Sequence, residues 1–529
     1  MRTLLVYPRF PPSFWSFEPI LRLVGKKALM PPLGLLTVAA LLPEGWECRL
    51  ADRNVGPVSE ADWDWAELVL VSGMLAQRSD LHQVIDEARD RRKPVVVGGP
   101  YASALPDRVR DAGADFLVLD EAELSLPAFL DALAAGATGG TFTARGAKPE
   151  LIATPPPRFD LLDLDAYDSM CVQFSRGCPF LCEFCDITVL YGRRPRTKTP
   201  AQMLAEYDRL YALGWRGPVF IVDDNFIGNR KAARELLRET AHWQARHGYP
   251  FHFDTEATIE LADDQQLLDL MVACKFGAVF IGIETPDEAS LARTGKHQNL
   301  RSPLDSSVRR ITRAGIRVMA GFIVGFDHEE PRADERIVEF IERTAVPTAA
   351  LSMLQALPGT ALWQRLEREN RLREESPSAN QTSLTNFVTT RPIEQVASEY
   401  VNAFRRLYDP IAFLDRTWRY FLEFGADRDS AGPKAVASRS VDWTGVRALL
   451  TVVWRQGVKR RSRWVFWHHL VSILRHNPEA WEHYLVVCAH NEHFLVFREL
   501  IQHEITAQVR LRTVARTAGR AEPEEGRPT

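Results

Sequence analysis

Short apolar runs alternate with longer amphipathic segments over residues 1–145. The runs lie at 4–8, 48–52, 67–73, 94–99 and 115–123, and they end in small or acidic residues. Segments of helical length, such as "DLHQVIDEARDRR", separate them. This alternation is typical of a doubly wound parallel sheet, whose ligands bind beyond the carboxyl ends of the strands. We therefore predict an α/β protein that begins with a Rossmann-like domain at residues 1–145.

A second series of apolar runs lies within residues 168–375. The six runs are at 169–175, 217–224, 250–257, 278–285, 317–326 and 349–359. Nearly continuous apolar strands separated by helices indicate parallel strands covered on both faces, and hence a partial (β/α)6 barrel with its site at the strand C-termini. The glycine- and proline-rich segment 146–167, which contains "TPPPRFD", is predicted to be a linker.

The rest of the chain changes character. Residues 376–515 show helical periodicity and predict a mainly helical domain, whereas the polar segment 516–529 predicts a disordered tail. One stretch is both basic and aromatic, and it predicts contact with an anionic membrane surface, with a solvated helix face over core tryptophans as the alternative. Its residues are Trp454, Arg455, Lys459, Arg460, Arg461, Arg463, Trp464 and Trp467.

Small and acidic residues at the predicted strand ends of the first domain are candidates for ligand binding, with tight turns as the alternative. They are Ser72, Gly73, Gly98, Gly99, Asp120 and Glu121. No G-x-G-x-x-G motif follows the first strand, which disfavours a nicotinamide or flavin dinucleotide. We therefore expect another planar or bulky ligand.

Composition narrows the class of protein. Hydrophobic residues make up 46% of the chain and charged residues 25%, as in globular proteins, and the net charge of -4 gives no reason to expect a nucleic-acid partner. The N-terminal run is too short for a signal peptide, and no stretch approaches the ~18 apolar residues of a membrane span. We expect a cytoplasmic protein. In a reducing compartment its seven cysteines favour a metal or redox site over disulfides.

Three cysteines lie close together in "SRGCPFLCEFCDI", at Cys178, Cys182 and Cys185. A structural zinc site normally needs four ligands, and no fourth lies nearby. A [4Fe-4S] cluster held by three thiolates keeps one iron free for a non-protein ligand. The spacing on a loop after the first barrel strand favours the cluster, with zinc or incidental thiols as the alternatives.

The segment "CPFLCEFC" resembles the cysteine loop of radical S-adenosylmethionine (SAM) enzymes, with Phe184 at the aromatic position. The resemblance implies that the free iron chelates SAM, whose cleavage gives a 5'-deoxyadenosyl radical. It further implies that Asp223, Asp224 and Asn225 lie near the methionine end of SAM. Glu284 would lie near the ribose or amino group, and Ile323 to Gly325 near the adenine. Helix capping is the alternative for the two aspartates, and core packing for "GFIVGF".

The first domain resembles the cobalamin-binding domain of one subclass of these enzymes, through "LMPPLGLLTVAALLP", "VVGGPYASALP" and "DFLVLDEAELSLP". It lacks the D-x-H-x-x-G motif that places a histidine on cobalt, so we expect no histidine on the lower face. The resemblance also implies an electron donor such as flavodoxin or ferredoxin. The sequence assigns no catalytic side chain.

Over its whole length the chain resembles the hopanoid C-2 methylase family. The resemblance implies methylation of an unactivated carbon with two SAM molecules, one methylating cobalamin and one supplying the radical, and a hopanoid or other isoprenoid lipid as substrate. Two alternatives stay open. One is a radical cyclisation, ring contraction or rearrangement on the same architecture. The other is a non-enzymatic cobalamin or iron-sulfur sensor.

Overall fold

The computed structural model describes residues 1–373, 380–428 and 443–518. The N-terminal domain is built on a six-stranded parallel sheet with strand order β2-β1-β3-β4-β5-β6. Its strands are β1 (Arg2–Tyr7), β2 (Glu47–Asp52), β3 (Leu68–Ser72), β4 (Val95–Gly98), β5 (Phe116–Val118) and β6 (Gly140–Phe142). The order reverses between β1 and β3, and ligands of doubly wound sheets bind at such a switch point.

Helices cover both faces of this sheet. Helix α1 (Glu18–Leu21) instead packs with the C-terminal helices. The others are α2 (Leu33–Leu41), α3 (Glu60–Trp65), α4 (Arg78–Asp90), α5 (Gly99–Ala104), α6 (Pro106–Asp111) and α7 (Ala122–Ala134). Successive side chains of β1 enter opposite cores, because Leu4 and Val6 belong to one apolar cluster and Leu5 to another. This two-sided burial explains why the strands read as continuous apolar runs.

The central domain contains a second six-stranded parallel sheet, in the order β14-β13-β12-β11-β10-β7. Sequential order with helical crossovers gives the partial (β/α)6 barrel expected from the sequence. The barrel strands are β7 (Met170–Val172), β10 (Gly217–Ile221), β11 (Phe251–Glu256), β12 (Phe276–Glu284), β13 (Arg317–Val324) and β14 (Thr348–Met353). After β7, an antiparallel ribbon forms from β8 (Ser175–Arg176) and β9 (Arg196–Thr197).

The barrel helices pack outside this sheet. Helix α8 (Ile187–Leu190) instead lies in the loop between β8 and β9. The others are α9 (Pro200–Ala212), α10 (Arg230–Arg246), α11 (Gln265–Ala273), α12 (Glu288–Arg293), α13 (Leu304–Arg313), α14 (Ala333–Thr344) and α15 (Ala361–Arg368). The C-terminal helices follow. They are α16 (Ile393–Leu407), α17 (Pro410–Glu423), α18 (Trp443–Trp454), α19 (Arg463–His476) and α20 (Trp481–Ala518). Barrel and C-terminal helices share one apolar core.

Two tyrosines of the C-terminal region form hydrogen bonds with the backbone of the edge strand β14 of the barrel. The Tyr408 hydroxyl donates to the Ala349 carbonyl of β14 at 2.6 Å and accepts from the Ala349 amide at 3.1 Å. The Tyr400 hydroxyl shares its proton between the Gln381 carbonyl at 2.7 Å and the Leu351 carbonyl of β14 at 3.1 Å. An unpaired strand edge is a template for unwanted pairing, so these contacts protect β14 and fix the helices against it.

Three features differ from the sequence-based predictions or extend them. Strand β6 lies in a glycine-rich stretch where we predicted no strand, and it occupies the sheet edge, where weak strand formers are tolerated. The predicted linker 146–167 packs closely, with Leu151, Phe159 and Tyr167 buried. Helix α20 continues to Ala518, and residues 519–529 of the predicted tail lie outside the described residues. Within the described ranges, no helix is long and apolar enough to cross a bilayer.

Candidate functional site

The three clustered cysteines lie on the loop that the β8–β9 ribbon closes at its base, above the C-terminal end of β7. Gly177 begins this loop with φ +95°, and a Cβ there would lie 2.8 Å from the Arg194 carbonyl oxygen. Only glycine fits both that backbone conformation and that close approach. The loop backbone is held further by the Cys178 amide, which donates to the Gly192 carbonyl, and the Cys185 amide, which donates to the Cys182 carbonyl.

Two amide side chains reach the cysteine sulfurs. The Asn225 Nδ2 group lies 3.9 Å from Cys178 Sγ, and the Gln298 Nε2 group lies 3.5 Å from Cys182 Sγ. Burial raises the pKa of the Cys178 and Cys185 thiols and so favours their protonated forms. A cationic partner is therefore needed to hold them as thiolates. No three cysteine, histidine or acidic side chains in the described part of the chain converge on a single metal ion. Three half-buried thiolates with N–H donors fit a cubane instead, because its thiolates bind separate irons.

Carboxylates line the barrel near the cysteine loop. Asp223 is fully buried and accepts hydrogen bonds from the Phe174 amide at 2.8 Å and the Ser175 hydroxyl at 2.6 Å. It therefore fixes the chain between β7 and the ribbon. Burial raises the pKa of Asp223 to about 6 and, with the charge of Asp223, that of Asp224 to about 7. Glu256 lies nearby, and burial with the charge of Asp224 raises its pKa to about 8.

Glu284 ends β12 in the left-handed region, with φ +66°, at an irregularity in its pairing with β13. Its carboxylate accepts a hydrogen bond of 2.6 Å from Lys296 Nζ, and both residues are buried. A Cβ at Gly282 would lie 2.3 Å from the Glu284 carboxylate, so glycine makes room for the pair. Sequence analysis identified Glu284 but not its partner, because Lys296 lies in an ordinary polar segment after α12.

The apolar residues assigned to SAM binding separate into two positions. Phe184 and Ile323 both pack on a small apolar cluster that includes Phe326, whose ring lies 5.9 Å from that of Phe184. Gly325 has φ +95°, and a Cβ there would lie 3.3 Å from the Val396 side chain. Gly325 therefore permits the turn after β13 and the close packing of α16. Its contact with a cofactor stays a prediction.

A cavity of about 150 Å³ lies inside the barrel beside Glu284. Its lining comes from three parts of the chain. The residues are Trp15, Phe280, Glu284, Gly321, Phe322, Ile323, Ala350, Leu351, Ser352 and Gln381. The rings of Trp15 and Phe280 meet edge to face at 5.5 Å. Gln381 is held in place because its side-chain oxygen accepts a hydrogen bond from the Phe14 amide at 3.0 Å. The N-terminal segment and the segment before α16 therefore complete the lining of this pocket.

Four of the six residues proposed to contact cobalamin meet at the ends of β3 and β4. A Cβ at Gly99, where φ is +85°, would lie 2.3 Å from Ser72 Oγ, and one at Gly98 would lie 2.9 Å from the Val118 carbonyl oxygen. The Tyr101 amide donates to the Gly73 carbonyl, which joins the two strand ends. Gly98 and Gly99 therefore make room for the Val118 carbonyl and the Ser72 hydroxyl, which brings the strand ends close together. Cobalamin binding at these strand ends stays a prediction.

The other two candidates point elsewhere. Asp120 accepts hydrogen bonds at its carboxylate from the Thr143 hydroxyl at 2.5 Å and the Ala144 amide at 3.0 Å, so it anchors the loop after β6. Glu121 is buried and binds Arg176 and Arg196 of the β8–β9 ribbon. The sequence analysis did not identify either arginine, because each looks like an ordinary charged residue beside the cysteine loop.

Comparison with known proteins supports this architecture. The B12 binding domain profile matches residues 25–130, the radical SAM superfamily profile residues 172–341, and a domain of unknown function (DUF4070) residues 360–507. The cobalamin-dependent SAM radical enzyme OxsB shares the fold, with a TM-score of 0.58 at 14% identity over 96% of this chain and 80% of the other.

Relatives extend over most of the sequence. An uncharacterized methyltransferase of Synechocystis is 59% identical over 96% of this chain and 94% of its own length. The hopanoid C-2 methylase of Rhodopseudomonas palustris is 37% identical over 88% of each chain. The chain therefore belongs to the cobalamin-dependent radical SAM methyltransferases, enzymes whose cofactors are a [4Fe-4S] cluster, SAM and cobalamin.

Proposed function

We propose that the protein methylates an unactivated carbon of a hopanoid or another isoprenoid lipid. Similarity to the hopanoid C-2 methylase over 88% of the chain supports this substrate class. The barrel cavity supports it as well, because aromatic and aliphatic side chains form part of its lining, beside the polar side chains of Glu284, Ser352 and Gln381. Part of a lipid ring system would bury its apolar surface there, against Trp15 and Phe280.

The observation that best supports methyl transfer is that the C-terminal end of a strand in the N-terminal sheet lies close to the C-terminal end of the first barrel strand. Glu121 follows β5 of the N-terminal sheet, and its carboxylate contacts the ribbon that closes the cysteine loop of the barrel. The carboxyl-terminal edges of both sheets, where ligands bind in such folds, therefore face each other. When bound, the cofactors supply the radical and the methyl group, while the chain positions the substrate between them and excludes water.

A labelled cofactor tests this proposal. The reconstituted protein would be incubated anaerobically with methyl-deuterated SAM, a reductant and a hopanoid such as diploptene. We expect a product that carries the deuterated methyl group, detected by mass spectrometry. A cyclised or rearranged product without label would identify a radical rearrangement instead. Absence of 5'-deoxyadenosine under all conditions would favour a sensor.

We further propose that a flavodoxin or ferredoxin reduces the cluster. Leu181, between two of the cysteines, is 56% exposed, so the loop presents an apolar side chain to a partner. Cluster reduction followed by absorbance, with each donor and its NADPH-dependent reductase, tests this pairing. Equal rates for wild type and Leu181→Asp would exclude the loop as the contact.

We also propose that the protein is cytoplasmic and docks on the surface of an anionic membrane through α18 and α19. Helix α19 presents an exposed stripe of Trp464, Trp467, Val471 and Leu474, and α18 presents Leu450 and Trp454. Lys459, Arg461 and Arg463 are exposed beside these apolar side chains. Cations beside exposed indoles suit the interface of an anionic bilayer.

Two of the basic residues identified from the sequence have an internal partner. Arg460 lies 2.8 Å from the carboxylate of Glu492 on α20, and Arg455 lies 3.9 Å from the same carboxylate. These arginines hold the helices together, so the proposed membrane contact rests on Lys459, Arg461 and Arg463. The distinction determines which substitutions can test docking without disturbing the fold.

A further inference from the structure

The cysteine loop is closed by one cross-strand pair of arginines. Arg176 on β8 is paired in register with Arg196 on β9. Arg176 lies two positions before Cys178, so any movement of this pair displaces the loop that holds the cysteines. Two like charges paired across a ribbon repel each other, and they need an anion between them.

Glu121 supplies that anion from the other domain. Its carboxylate lies 2.8 Å from Arg196 Nη2 and 2.8 Å from Arg176 Nη1, so one side chain binds both members of the pair. All three side chains are at least 89% buried. Glu123 adds a second carboxylate 2.9 Å from Arg176 Nη2, but it has no contact with Arg196 among those the structure shows.

Other contacts fix the geometry of this cluster. Arg196 also donates to the Pro149 carbonyl at 2.6 Å and the Tyr191 carbonyl at 2.9 Å. The Glu123 carboxylate accepts from the Thr154 hydroxyl at 2.8 Å. Two carboxylates and two guanidinium groups balance in charge, and removal of one member leaves an uncompensated charge in a buried site.

We infer that Glu121 is a positioning residue that holds the cysteine loop at a fixed place relative to the end of β5, and that it does not bind cobalamin. Because the proposed cobalamin surface lies at the ends of β3 and β4 in the same sheet, this contact sets the separation of the two cofactor sites. The inference needs the cluster of this family and is independent of the substrate proposed above.

The test uses the full chain reconstituted with iron and sulfide but without cobalamin. In Glu121→Gln, we expect an altered EPR spectrum of the reduced cluster and roughly tenfold faster iron release to a ferrous chelator, because a broken buried ion pair favours local opening of the loop. Glu121→Asp keeps the charge with a shorter reach, and we expect a smaller change in the same direction. This second variant serves if Glu121→Gln does not fold.

Glu87→Gln provides the control, since it removes the 2.8 Å ion pair with Arg53 in the same domain, away from the loop. It should leave the spectrum and the iron release rate unchanged. Wild-type cluster properties in the Glu121 variants would overturn the inference, whether or not cobalamin affinity falls. Loss of cobalamin affinity alone would assign Glu121 to cobalamin binding. Neither readout depends on methyl transfer, so failure of the proposed function would be seen separately.

Discussion

Lys296 donates a hydrogen bond of 2.6 Å to Glu284 inside the barrel, close to the cysteine loop. Burial alone lowers the pKa of Lys296, but the charges of Glu284 and Cys182 outweigh this effect and raise it above its ordinary value. The ammonium group therefore stays charged at neutral pH. It links the carboxylate at the end of β12 to the cysteine loop. We predict that this buried pair lies beside bound SAM.

Substitution of Lys296 by Met should weaken SAM binding by roughly tenfold and destabilise the protein by about 3–5 kcal/mol, because Glu284 is left as an unpaired buried carboxylate. The double variant Lys296→Met/Glu284→Gln should recover much of the stability but not the SAM affinity. Denaturant unfolding and equilibrium SAM binding separate the two effects. Full recovery of SAM affinity in the double variant would show that the pair is only structural.

Replacement of Cys178, Cys182 or Cys185 by Ala should abolish the cluster and the cleavage of SAM while the barrel stays folded. Each thiolate binds one iron, so loss of any one removes a ligand that no nearby cysteine replaces. The iron content and the absorption near ~400 nm report the outcome. Cys48→Ala is the matched control, because Cys48 lies on β2 outside the loop. Iron retained in all three loop variants would contradict the assignment.

Substitution of Gly99 by Ala should lower cobalamin content without loss of iron. The new methyl group would lie 2.3 Å from Ser72 Oγ, and the backbone at φ +85° disfavours any side chain, so the ends of β3 and β4 must separate. Cobalamin is measured by absorbance after extraction. Gly56→Ala, in open space in the same domain, should bind cobalamin as the wild type does. Wild-type cobalamin stoichiometry in Gly99→Ala would place the ligand elsewhere.

The pattern of the sequence predicted the two sheets because their strands are buried on both faces. The apolar runs around Leu70 and Val97 are stable only where both faces of a strand are buried, as in the centre of a parallel sheet. Local composition therefore sufficed to predict parallel strands there. The weak strand β6 was missed because neighbours across the sheet, and not its own residues, hold it in place.

The directions in which side chains of the candidate site point could not be predicted from local composition. Asp120 and Glu121 are adjacent and equally acidic in the sequence, yet one binds the loop after β6 and the other binds the barrel ribbon. That difference depends on the packing of two domains, which local periodicity does not encode. Cys178, Cys182 and Cys185 were recognisable because their chemistry requires a short spacing.

The stability of the protein without bound cofactors should fall as the pH rises. Burial and the charges of Asp224 and Asp223 raise the pKa of Glu256 to about 8, whereas an unfolded Glu titrates near about 4.3. Between these values the folded protein binds the proton and the unfolded chain does not, so folding loses free energy with increasing pH. We expect the Tm to decrease by a few degrees from pH 5 to 8.

Glu256→Gln should remove part of this decrease, since a neutral amide has no proton to lose. Thermal unfolding followed by circular dichroism at several pH values measures it. The exposed Glu235 on α10 provides a control, and Glu235→Gln should retain the wild-type pH dependence. Identical pH profiles for wild type and Glu256→Gln would contradict the raised pKa.

Docking on anionic membranes should depend on the exposed cations between the end of α18 and the first residue of α19. Each cation near such a surface contributes roughly 1 kcal/mol, so Lys459→Glu/Arg461→Glu/Arg463→Glu should weaken binding by orders of magnitude. Arg460 is kept, because its pairing with Glu492 is internal. Sedimentation with phosphatidylglycerol vesicles measures binding, which should fall with added salt.

Two matched variants separate surface charge from the specific docking site. Lys231→Glu/Arg238→Glu/Arg246→Glu reverses three exposed charges on α10 and should bind vesicles much as the wild type does, with only the small loss due to net charge. Trp464→Asp removes an indole that is 72% exposed, and it should weaken binding even at high salt, where apolar insertion is the remaining contribution. Equal losses of vesicle binding in the two charge-reversal variants would show that net charge, and not a specific docking site, causes the attraction. Failure of the wild type to bind at low salt would exclude this membrane contact, and a substrate delivered through water would then be the better proposal.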